Sequence, residues 1–478
     1  MLTRRRFAGY SALTSAMLAH PSLLRSAFGQ ATGKRPLRLA VLGSVYREGS
    51  ALQTIADRFM VGYPYEGEWR MPEVQVVSMY VDQRIRKIES RPNDFLQSMS
   101  GTLRPPQPAQ VPANRTEAQR AARRAEMAQR PRREELGIPG DLSEARAAQF
   151  GFRLCHNIPE ALRVGGNHIA VDAVLTIVEQ DDYPRNSRDM ILLPQYDFFQ
   201  QCAEVFEGEK HAIPYFNHRQ LSYSFQEAQN MVKIAERLKI PMLAGSSMPV
   251  TWRLPDVDIP LGAQVQEAVM VGPGTFDSMG FDALEAMQAM LERRKGGETG
   301  VKAVQLLEGD DVWIALNAGR WSKDLLSSAL SRTDTPLGLT WLDGRTQDLT
   351  APGILPQLVK DPAAYCIEYT DGTRATLLQL NGATRDFNIS ARVAGHGMVS
   401  TQFFMTPAPN ETHSACLAGK IEELYQAKSA PYSVQRALLT TGILEASLNS
   451  RHRLNQRLET PHLAISYKAP AESQYART

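Results

Sequence analysis

Residues 211–220 read His211-Ala212-Ile213-Pro214-Tyr215-Phe216-Asn217-His218-Arg219-Gln220. An amphipathic run follows over 225–238, and a second apolar run, 240–244, closes on Gly245-Ser246-Ser247. Strand, polar crest, helix, strand is the order of a βαβ unit in a parallel sheet. Ligands of such sheets sit beyond the carboxyl ends of the strands, so the pattern puts His218, Arg219 and Gln220 where chemistry would be done.

The same alternation extends upstream. Residues 36–43, 74–81, 152–155 and 171–178 read as strands; 50–60, 142–150, 158–162 and 196–206 carry helical spacing. Strands alternating with helices over 36–247 predict an α/β domain of Rossmann type, a doubly wound parallel sheet that binds a nucleotide. One break interrupts it: in 105–135 Pro and Gln give way to repeated Arg and Ala with almost no large apolar residue, which predicts a solvated basic insertion. After Pro249 the pattern changes. Strands are expected at 265–271, 303–308, 365–369, 374–380 and 387–393, with Asp371-Gly372 as a hairpin turn and a helix at 283–294. Residues 248–470 are therefore expected to form an α+β domain with a mostly antiparallel sheet. The tail helices 420–427 and 433–449 should fold back on this substrate and oligomerisation domain.

A chain of 478 residues is too long for one core, in keeping with two domains. The formal charge of +2 gives no reason to expect nucleic acid or an anionic membrane as partner. Cys155, Cys202, Cys366 and Cys416 lie far apart without metal spacing and read as buried thiols. No H-E-x-x-H or comparable pattern supports a metal, and no G-x-S-x-G elbow supports a serine hydrolase. The amino terminus has export-signal order: Thr3-Arg4-Arg5-Arg6-Phe7, a weakly apolar stretch over 8–19, then small residues around Ala27-Phe28-Gly29. Paired arginines before Phe7 are the twin-arginine form, so 1–31 is expected to be a leader and the protein periplasmic. No later run is apolar enough to span a membrane once the leader is removed.

Several segments in order resemble the glucose-fructose oxidoreductase/inositol dehydrogenase (Gfo/Idh/MocA) family. They are Ala148-Gln149-Phe150-Gly151-Phe152, Ile158-Pro159-Glu160-Ala161-Leu162, Val171-Asp172-Ala173-Val174, the 211–245 unit, Gly280-Phe281-Asp282-Ala283-Leu284-Glu285 and Ser429-Ala430-Pro431-Tyr432-Ser433. The resemblance implies a tightly kept NAD or NADP and a hydroxyl of a sugar, polyol or glycoside as substrate. It also implies a second-domain sheet open to homo-oligomer formation. It brings the family's Glu-Lys-Pro onto His218, Arg219 and Gln220, and its catalytic histidine onto Asp282, with Glu285 at the later acid. Arginine does not cycle a proton, so Arg219 would orient substrate, Asp282 would accept the proton, and His218 is the alternative acid/base.

The nucleotide turn is Gly43-Ser44-Val45-Tyr46-Arg47-Glu48-Gly49-Ser50, with two glycines where a dinucleotide fingerprint has three. Gly43, Ser44 and Gly49 would serve the phosphates and Asp82 the ribose. Asp182, in Asp181-Asp182-Tyr183-Pro184, faces the same crevice or caps a helix. Trp252 and Arg253, after the hydroxyl-rich 245–251, are candidate pocket residues or linker. His396 and His413 read as loop histidines. Three functions follow as expectations: an exported NAD(P)-dependent oxidoreductase, a catalytically degenerate carbohydrate-binding or scaffold protein, or a lyase or epimerase recycling a bound nicotinamide.

Overall fold

The first apolar run folds into β1 (Leu37–Gly43), the strand on which a parallel sheet grows in both directions. Its alternate residues serve opposite faces: Leu39 and Val41 enter one core, Ala40 and Leu42 the other. The computed structural model describes residues 35–84, 140–179, 183–188, 190–274, 276, 279–334 and 349–477; the expected leader, the basic insertion and Asp182 lie outside them.

After β1 come α1 (Ala51–Ala56), α2 (Arg58–Val61), a small hairpin of β2 (Tyr63–Tyr65) and β3 (Glu68–Arg70), and β4 (Val74–Val81). Then α3 (Ser143–Phe150), β5 (Arg153–Cys155), α4 (Ile158–Arg163), β6 (Ala173–Ile177), α5 (Gln195–Glu209), β7 (Tyr215–His218), α6 (Phe225–Leu238) and β8 (Met242–Gly245) complete the first half. The strand order is β5-β4-β1-β6-β7-β8, parallel at every pairing. This is the doubly wound sheet expected, and it reverses direction between β1 and β6.

The second half runs β9 (Arg253–Leu254), β10 (Val265–Gly272), α7 (Gly280–Leu291), β11 (Val301–Glu308), α8 (Asp310–Asn317), α9 (Lys323–Leu330) and α10 (Ile354–Leu358). It continues with β12 (Ala363–Tyr369), β13 (Arg374–Gln379), β14 (Phe387–Val393), β15 (Gly397–Phe403), α11 (His413–Ala427), α12 (Gln435–His452) and β16 (Leu458–Glu459). Its eight-stranded sheet, ordered β16-β11-β12-β13-β10-β14-β15-β9, is antiparallel except where β10 meets β13. One face, with Ala268, Met270, Leu377 and Ile389, lies in the core that includes α7 and α12. The other, with Val269, Val271, Leu378 and Leu380, is covered by Trp321, Leu325, Leu326 and Leu355 of the 310–358 segment. The face expected to stay open for association is thus lined by the chain's own helices.

Two expectations are corrected. Strand β7 does not stop at Phe216: it pairs through His218 with Gly245, so His218 belongs to the buried strand end and the crest begins at Arg219. The first tail helix begins at His413, not at residue 420, and leaves the second sheet. Its Ala415, Leu417, Ile421 and Leu424 join Leu39, Val41 and Phe59 of the first half. The polar contacts explain the docking. Tyr425 donates its hydroxyl to the Val174 carbonyl at 2.9 Å, and the buried Glu422 carboxylate accepts from the Tyr63 hydroxyl at 2.6 Å and the Glu73 amide at 2.8 Å. Glu422→Ala removes the acceptor of both donors, and unfolding in urea should show a loss of about 3 kcal/mol.

Candidate functional site

The ends of β7 and β8 meet the first turns of α7 at the junction of the two halves. Arg219, directly after β7, takes a left-handed backbone (φ 64°), and its amide donates to the Gly245 carbonyl at 2.9 Å. That conformation costs an arginine on the order of 1 kcal/mol or more and turns the side chain out of the strand direction. The guanidinium reaches α7, where Nη2 donates to Asp282 Oδ2 at 2.8 Å. Asp282 and Glu285, three residues apart, share the face of α7 that looks back at the sheet. The Ser246 amide donates to Glu285 Oε2 at 2.7 Å. Gly245 makes this approach feasible: a Cβ there would stand 2.1 Å from Glu285 Oε1.

Burial sets the charges. It pushes the Asp282 carboxyl up, against the pull of Arg219. It pushes Glu285 up to about 8, against Arg436 and the Ser246 amide, so Glu285 holds a proton at neutral pH. His218 is driven well below the usual histidine range by burial and then by the adjacent Arg219 charge; it is a neutral imidazole. Three buried polar atoms of this contact have no hydrogen-bond partner among the described residues, Asp282 Oδ1, Glu285 Oε1 and Arg219 Nε, although the Ser246 side chain helps hold both carboxyls down. Buried polar groups are ordinarily satisfied, so such a cluster marks a place where a ligand or ordered water completes the bonding.

The turn after β1 is arranged differently from the expectation. Gly43 allows close helix packing, since a Cβ there would lie 2.4 Å from Leu52 Cδ2. Ser44 is buried; its hydroxyl accepts from the Glu179 amide at 2.8 Å. The Gly49 amide (φ 72°) donates to Gln53 Oε1 at 2.7 Å. Asp82 accepts from the hydroxyls of Tyr80 at 2.7 Å and Tyr183 at 2.8 Å. The amides opening α1 are taken as well: Leu52 donates to Glu179 Oε1 at 3.1 Å and Gln53 to the Ser50 hydroxyl at 3.2 Å. A dinucleotide uses such amides for its pyrophosphate. With Glu179 on them, the residues of this turn do not fit that group.

Arg253 is held by Asp258 at 2.6 Å and lies 3.9 Å from the Tyr475 ring centroid, pinning the carboxyl-terminal tail. Trp252 packs edge-on against Phe404, ring centroids 6.5 Å apart. His413 opens α11, its Nδ1 3.0 Å from the Thr406 hydroxyl, and His396 is exposed. All four cysteines are buried and unbridged. Among the described residues no cluster of metal-ligating side chains occurs, and no helix is long and apolar enough to cross a membrane. Glu179 was not singled out by the sequence, although a carboxylate directly after the apolar run 171–178 was its signal.

No family model matches the sequence, and no curated protein matches it. Solved structures align along the chain. GenD2 from gentamicin A biosynthesis in complex with NAD is 11% identical over 89% of this chain and 97% of its own, with a TM-score of 0.47. Myo-inositol dehydrogenase from Lactobacillus casei, in complex with NAD(H) and myo-inositol, is 9% identical over 88% and 96%, at 0.45. Aldose-aldose oxidoreductase from Caulobacter crescentus, complexed with glycerol, is 11% identical over 89% and 100%, at 0.44. These likenesses assign no role to any residue. The class is defined by the chain's own topology: a Rossmann-type parallel sheet followed by a mixed, mostly antiparallel sheet domain.

Two outcomes follow from the geometry. Gly245→Ala forces a methyl into the Glu285 carboxyl and should cost about 2 kcal/mol or more in chemical denaturation. Between about pH 4.5 and 8 folded Glu285 keeps a proton that the unfolded chain releases, so its contribution to stability declines as pH rises through that window. Melting temperatures of Glu285→Gln measured from pH 5 to 8 should fall less with pH than those of the wild type.

Proposed function

We propose that the protein binds an uncharged, hydroxyl-rich small molecule, a sugar, polyol or glycoside, in the crevice where β7 and β8 meet α7. The observation that carries this reading is the set of buried polar atoms without partners among the described residues, Asp282 Oδ1, Glu285 Oε1 and Arg219 Nε, at the Arg219–Asp282 pair. Donors and acceptors are both present, and the nearest charges offset: Arg219 is matched by Asp282, Glu285 is protonated and His218 is neutral. A mixed, near-neutral set of this kind complements hydroxyl groups, each of which donates once and accepts twice. An anion or cation would leave a buried charge without a counterpart.

The test is a thermal-shift and calorimetric panel of neutral sugars and polyols beside sugar acids and amino sugars. Neutral polyols should stabilise the protein, and Asp282→Asn should weaken their binding by about tenfold or more. Stabilisation by charged compounds alone, or by none, defeats the reading.

A second reading, an NAD(P)-dependent oxidoreductase acting on a hydroxyl of the same molecule, is favoured by one feature. Burial raises the Asp282 carboxyl beside a fixed cation, which suits it to accept a hydroxyl proton. It requires a nicotinamide nucleotide held by contacts other than the amides that Glu179 occupies. Reduction of added NAD or NADP in the presence of a stabilising polyol separates the two readings.

A further inference from the structure

We propose that Glu179 is a resident anion. Its carboxylate fills the place where a doubly wound sheet otherwise receives a phosphate, and the protein works without a dinucleotide there. The inference goes beyond the polyol reading and does not depend on it.

The place is fixed by topology. β4 and β5 lie to one side of β1 and β6, β7 and β8 to the other, so the crevice of the sheet opens between the ends of β1 and β6. Glu179 follows β6 by two residues. The turns after the two strands clasp each other: the Ser44 amide donates to the Ile177 carbonyl at 3.2 Å, and the Glu179 amide donates to the Ser44 hydroxyl at 2.8 Å. With its backbone held, the side chain reaches the first turn of α1, where the Leu52 amide donates to Oε1 at 3.1 Å and the Ala51 amide also contributes. The first amides of α1 are therefore taken, Ala51 and Leu52 by this carboxylate and Gln53 by the Ser50 hydroxyl.

The charge environment is that of a held anion. Burial pushes the Glu179 carboxyl up, and the two amides, Arg219 and Arg47 oppose it. The groups that a phosphate would need are the groups that Glu179 already has. Binding a pyrophosphate would require expelling this side chain from its amides and leaving two like charges near one another.

The experiment uses the full chain and reads melting temperature and calorimetric titration with NAD, NADH, NADP, NADPH and pyrophosphate. A dinucleotide present at about a hundred times its Kd would raise the melting temperature by several degrees. The expected result is no shift and no heat for the wild type. Glu179→Gln, which keeps an acceptor for the Leu52 amide but removes the charge, should also bind no dinucleotide and melt lower than the wild type, by less than Glu179→Ala. Glu179→Ala should melt about 2–4 °C lower and regain stability when formate or pyrophosphate is added. Micromolar dinucleotide binding by the wild type overturns the inference, as does a Glu179→Ala protein that no anion restores. Neither outcome bears on the polyol panel, since Asp282→Asn leaves the Glu179 contacts in place.

Discussion

The ion pair between Arg219 and Asp282 joins the crest of the parallel sheet to the opening turn of α7, and the crevice is built around it. Asp282 is 5% exposed, so its charge is carried at a desolvation cost that only a close partner offsets. Arg219 supplies that partner from a left-handed backbone, φ 64°. Without the pair, the Ser246 amide on Glu285 is left to hold the strand ends to the helix.

The charges around Arg219 set the polarity of the junction. Glu179 and Glu411 are both drawn toward ionisation by it, and Asp282 touches it. These carboxylates are met by three guanidinium groups, since Arg47 also draws Glu179 and Arg58 also draws Glu411. The next acid along α7, Glu285, stays protonated instead of adding a further charge, so the junction approaches neutrality.

Much of the fold was legible because its periodicities are long and uninterrupted. The 225–238 helix, the 74–81 strand and the 387–393 strand fall at the residues their patterns indicate. What escaped depends on partners remote in sequence. The start of α11 at His413 is set by a face that the β2–β3 hairpin and α1 leave apolar, which local spacing does not reveal. His218 reads as polar crest, yet pairing with Gly245 draws it into the strand. At the site, Arg219, Asp282 and Glu285 could be found from the order of motifs along the chain. Glu179 had only its place after the apolar run 171–178 as a signal, and its meaning lies in the Leu52 amide, 127 residues earlier.

The same distant partners argue that the crevice is rigid. The crest continues into Leu221 and Phe225, whose amides donate to Thr441 Oγ1 at 3.2 Å and Glu445 Oε2 at 2.9 Å, both on α12. Gly442, between them, lets Phe225 and Leu463 approach to distances where any Cβ would collide. On the opposite side, α11 ties the second half to β6 through Tyr425 and to the hairpin through Glu422. A hinge opening of the halves would break buried hydrogen bonds on both sides at once, each worth about 1 kcal/mol net and more when a charged acceptor is stranded. The polar groups at the junction are thus held in place by contacts on both sides, which is what the proposed recognition of hydroxyl groups requires.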